Sequence, residues 1–119
     1  MSAATVAFIG ALVHDHPVLR PILQEHLDDM SGEVLPHLLI ADVERWAERE
    51  AIAGRSGLGS DLGAVLAAIE REFALESDSD VGELISVSFL EHIPRPGEPG
   101  SELRQLVGPR CAAQLSVIG

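Results

Sequence analysis

Apolar residues return along most of this chain with a period of about 3.6, the spacing of a helix that buries one face. Ser2 stands where it can cap a first helix carrying Val6, Ile9, Leu12 and Val13 on one stripe, ending near the break from His14 to Pro17. Val18 and Leu19 then read as a packed turn, and Pro21 fits the first position of a second helix with Ile22, Leu23, His26, Leu27 and Met30. Ser31, Gly32 and Glu33 form a polar break. Pro36 opens the most strongly marked helix, whose apolar set is Leu35, Leu38, Leu39, Val43, Trp46 and Ala47, while Asp42, Glu44, Arg45, Glu48 and Arg49 fall elsewhere round the wheel. It is predicted to reach about Ile52, with Gly54 just past its end as a left-handed stop.

The glycines and serines from Gly54 to Ser60 read as a loop, and Ser60 or Asp61 caps a fourth helix with Leu62, Val65, Leu66, Ile69 and Phe73 inside. An acidic turn of Glu76, Ser77, Asp78, Ser79 and Asp80 follows. Asp80 and Glu83 are spaced like a capping box, with Asp in place of the usual Ser or Thr. From Val81 to Ile93 two patterns overlap. Ile85, Val87 and Phe89 alternate with serines as in a strand, whereas Val81, Leu84, Ile85, Ser88 and Phe89 keep helical spacing. The helix is favoured, because a cap precedes the segment and no second strand exists to pair with it. Pro94 to Gly100 makes a stiff surface loop, Ser101 caps a short helix with Leu103, Leu106 and Val107, and Pro109 starts a last one through Leu115. The expected fold is all-α, a compact bundle of six or seven short helices in one domain, since 119 residues leave room for one core.

Composition narrows the function. The chain is 46% hydrophobic, enough to fill that core, and eight basic residues against nineteen acidic ones give a net charge of -11. Such a surface repels phosphate backbones and anionic headgroups, so neither nucleic acid nor membrane is expected as a partner. Lys, Asn and Tyr are absent and every basic residue is Arg, a usage that reads first as the mark of a GC-rich genome. No secretory signal pattern opens the chain and no apolar run approaches the ~18 residues of a membrane span, so a soluble cytoplasmic protein is the expectation. The single cysteine, Cys111, rules out an internal disulfide and reads as a small buried hydrophobe.

Candidate chemistry is sparse. His14, Asp15 and His16 suggest a metal-dependent hydrolase, but neighbouring residues on one element point in different directions, and no further ligand has paired spacing. Arg55-Ser56-Gly57-Leu58-Gly59 is not a nucleophile elbow, the glycine loop has no Lys, and the acidic turn lacks EF-hand spacing. No catalytic, cofactor-binding or metal-binding residue is therefore assigned. Trp46, the sole tryptophan, suits either the core or an exposed interface anchor.

The stretch Leu35-Pro36-His37-Leu38-Leu39, the segment Leu84 to Glu91 and the loop Pro94 to Gly100 resemble a group of small all-helical bacterial proteins, many actinobacterial. In that group a Leu-Pro-His-Leu helix start precedes a Ser-Phe-Leu-Glu helix and a proline-glycine loop. The resemblance implies a fold and no catalytic residue. In size, acidity and helical make-up the chain is also similar to immunity proteins of bacterial toxin systems, which implies a basic toxin as partner. The expectation is a non-enzymatic protein-binding module whose carboxylates meet that partner: Asp28, Asp29 and Glu33 at one turn, Glu76, Asp78, Asp80 and Glu83 at another, with Trp46 as an apolar anchor. The alternatives are a structural or regulatory adaptor that binds through the proline-glycine loop and the Trp46 helix, and the metal-dependent hydrolase. An exposed apolar stripe on any helix would support a homodimer.

Overall fold

The structure, a computed structural model, describes residues 2–118 and is built from seven α-helices, with no strand among those residues. Ser2 Oγ accepts the Thr5 N–H at 3.2 Å and so starts α1, Ala3–Asp15. Ile9, Leu12 and Val13 of the expected stripe are inside together with Thr5 and Phe8, while Val6 is 41% exposed. Thr5 can enter because its hydroxyl donates to the Ser2 carbonyl at 2.9 Å, leaving no polar group stranded. A 3₁₀ turn, Pro17–Leu19, buries Leu19 completely and leads into α2, Arg20–Asp29.

Ser31 and Gly32 adopt left-handed φ values of 55° and 84° after α2, which reverses the chain toward α3, Pro36–Ile52. The reversal is tied by His26, which is 2% exposed and whose Nε2 accepts the Leu35 N–H at 3.0 Å. Pro36 occupies the first turn of α3 as expected, and Gly54 stops the helix with φ 74°. α3 packs against α1 and α2 and against three later helices, so its buried arc is wider than one stripe. It takes in Ile40 and Glu44 in addition to Leu39, Val43, Trp46 and Ala47, while Leu38, expected inside, is 48% exposed.

Ser60 Oγ accepts the Gly63 N–H at 3.0 Å and opens α4, Asp61–Leu75, whose buried face is the predicted Leu62, Val65, Leu66, Ile69 and Phe73 together with Ala68. α5, Asp80–Ser88, is capped by Ser79, one residue before the capping box expected at Asp80. The segment that admitted a strand is thus this helix followed by a 3₁₀ turn, Leu90–His92. α5 packs against α1, α3 and α4 and buries Leu84 and Ile85 at the centre. The single-turn α6, Leu103–Leu106, has Glu102 at its N-cap with no side-chain bond, so Ser101 does not cap it. α7, Pro109–Ile118, closes the bundle with Cys111 and Leu115 inside.

Candidate functional site

The acidic corner between α4 and α5 is held by short-range bonds. Ser79 Oγ accepts the Gly82 N–H at 3.1 Å and donates to the Glu76 carbonyl at 2.6 Å. The turn presses so closely on Gly82 that a Cβ there would stand 2.2 Å from the Ser77 carbonyl oxygen. Fixed in this way, the turn sets Glu76, Asp78, Asp80 and Glu83 on the surface, with Glu72 exposed one turn earlier. No arginine occurs between Arg71 and Arg95, and among the described residues none of these carboxylates is in an ion pair.

The second predicted patch is different. Asp28, Asp29 and Glu33 are exposed at the end of α2, but Gln24 Nε2 donates to Asp28 Oδ1 at 3.0 Å, and Asp29 shares a groove with Asp42, Arg45 and Arg49. Arg45 is paired with Asp42 in that groove, so positive charge is interleaved with negative. Trp46, offered from the sequence as a possible anchor, is 8% exposed and belongs to the core. It has almost no surface to give a partner. His14 Nδ1 lies 3.2 Å from Asp15 Oδ1 on an open surface, and His16 follows as the C-cap of α1. Among the described residues no three His, Cys, Asp or Glu side chains converge as ligands for a metal ion.

Beside the acidic corner, the N-terminal ends of α1, α3 and α5 enclose a cleft of about 440 Å³ lined by Ser2, Thr5, Leu35, Pro36, His37, Leu38, Asp80 and Glu83. Leu38, exposed on α3, forms part of this wall. His37 Nδ1 lies 2.5 Å from the Oγ of buried Ser88, which orients the ring from across the helix pair. Sequence reasoning did not find this cleft, since its lining comes from three helices and His37 at its edge is held by a residue 51 positions away in the chain.

Two further carboxyls sit against the bundle in different ways, Glu44 buried and Glu70 half-buried. Glu44 is 1% exposed, and its Oε2 has no hydrogen-bond partner among the described residues. Burial pushes its carboxyl up to about 9, the hydrogen bond and charge of Glu48 one turn on push in the same direction, and Arg45 opposes them. The wheel placed Glu44 on the polar side of α3; the breadth of that helix's packing corrects it. Glu70, by contrast, accepts the Cys111 N–H on Oε1 and the Arg110 N–H on Oε2, both at 3.0 Å, so that a residue of α4 caps α7. The Cys111 thiol is pushed up to about 12 by burial and then by the Glu70 hydrogen bond and charge, which keeps it protonated and unreactive near neutrality.

Comparisons of the chain with models of protein families, with curated proteins and with solved structures found no match. Among the described residues no helix is long and apolar enough to cross a membrane.

Proposed function

We propose that this chain is a non-enzymatic binding module that holds a basic partner protein against the α4–α5 corner, in the manner of an acidic inhibitor or immunity protein covering the cationic cleft of a toxin. One observation carries the reading: Glu76, Asp78, Asp80 and Glu83 are exposed together on a corner with no neighbouring arginine in sequence and no ion pair among the described residues. Carboxylates left without cations lose little when a cationic surface replaces water, and a net charge of -11 draws such a partner in over a Debye length of about 10 Å. The Asp28, Asp29 and Glu33 patch suits the role less well, because Arg45 and Arg49 line the adjoining groove.

The test is affinity capture from the native host at low salt, followed by a salt gradient, with the wild-type chain and a variant carrying Asp78→Lys and Asp80→Lys. The reading expects a basic protein that elutes as salt rises and is not retained by the variant. A partner that both forms hold equally, or that survives high salt, would instead favour an adaptor binding through apolar contacts.

A further inference from the structure

The cleft joining α1, α3 and α5 has a composition that selects its occupant. Its wall is apolar along Leu35, Pro36 and Leu38, and among the described residues that line it the acidic ones are Asp80 and Glu83 and there is no arginine. We propose that it is a recognition pocket for one arginine or lysine side chain of a partner protein, with the aliphatic stem along Leu35, Pro36 and Leu38 and the cationic head at Asp80 and Glu83. This deepens the binding role proposed above and rests on it.

The chemistry favours such an occupant over an anion or a neutral apolar group. Long basic side chains join an apolar stem to a charged head, and this cleft has surfaces for both. An anion would be drawn to the helix ends, but these are partly spent. Ser2 takes the Thr5 N–H, Ser79 takes the Gly82 N–H, Pro36 has no N–H, and the Leu35 N–H is bonded to His26. An anion there would also meet two carboxylates. A purely apolar group would leave both carboxylates desolvated without a counter-charge. His37 is held through Nδ1 by Ser88 and forms a fixed edge of the site.

The probe is the peptide acetyl-Gly-Arg-Gly-amide, titrated into the isotope-labelled chain and followed by amide chemical shifts. The control is the same peptide with citrulline, which keeps the shape and removes the charge. Saturable shifts at residues 35–38 and 80–83 are expected with the arginine peptide and not with citrulline. Asp80→Asn with Glu83→Gln should weaken the affinity by about tenfold, and Leu38→Ser, at an exposed position, should weaken it without unfolding the chain. Weak shifts spread evenly over Glu72, Glu76 and Asp78, unchanged in those variants, would overturn the pocket and leave the acidic module standing. Inorganic phosphate shifting the cleft amides in place of the peptide would overturn it as well. Failure of the wider reading is seen separately, as absence of any salt-sensitive basic partner in the capture experiment.

Discussion

Glu44 and Glu70 are the same residue type on two neighbouring helices, and the fold treats them in opposite ways. Glu70 reaches the start of α7, where the N–H groups of Arg110 and Cys111 meet its two oxygens. Glu44 is more deeply buried, its Oε2 has no donor among the described residues, and the hydrogen bond and charge of Glu48 both favour its protonated form. Depth of burial therefore does not by itself make a carboxylate stabilising. What decides it is whether another part of the chain brings donors to it.

The largest effect expected from this contrast is at Glu44. In the unfolded chain its carboxyl ionises near the ordinary value of 4.5, while in the folded chain it keeps its proton up to about 9. Between those values the unfolded state binds fewer protons, so Glu44 subtracts stability progressively as pH rises through that window. Glu44→Gln removes the titration. At about pH 8 the variant should be more stable than wild type by as much as about 3 kcal/mol, and at about pH 5 the two should nearly coincide. Urea unfolding across that range measures this, and parallel stability profiles would show that Glu44 has a partner in solution that the comparison with Glu70 denies it.

Glu70 should respond in the other direction. Glu70→Ala leaves the two N–H groups of Arg110 and Cys111 without their acceptor and is expected to cost about 2 kcal/mol. Glu70→Gln keeps one acceptor oxygen and should lose about half of that. Gly108→Ala attacks the same contact from the other side, since a Cβ there would stand 2.3 Å from Glu70 Cγ. A loss of about 1 kcal/mol is expected, and it should shrink in the Glu70→Ala background, where the obstructing side chain is gone. Additive losses would mean that Gly108 matters for a reason other than Glu70.

How far such features could be read from the sequence depends on their range along the chain. Ser2, Pro36, Gly54, Ser60 and Pro109 act within one turn of themselves, and the helices they bound lie where the pattern puts them. The cap at Ser79 was misplaced by one residue, because Asp80 with Glu83 offered an equally regular local alternative. Glu44 was missed for a different reason. A helical wheel assumes one buried stripe, whereas α3 is covered from several sides by α1, α2, α4, α5 and α6. The acidic corner is a run of neighbours in sequence and was legible. The cleft beside it unites three helix ends and the His37–Ser88 bond, and neither composition nor period carries that information.

The smallest expected effect is kinetic, and it separates local from global opening. Cys111 is buried and its thiol is held up to about 12, so a thiol reagent near neutral pH labels it only when α7 lifts or the whole chain unfolds. Glu70→Gln weakens the attachment of α7 by about 1 kcal/mol and should speed labelling about fivefold. Glu44→Gln stabilises the bundle without touching that attachment. If α7 opens on its own, Glu44→Gln leaves the labelling rate unchanged; if labelling requires global unfolding, the same substitution slows it at about pH 8 by the factor that its added stability predicts. The first outcome is expected, because α7 is joined to α4 by the two bonds to Glu70, while Glu44 lies on α3 at the centre of the packing.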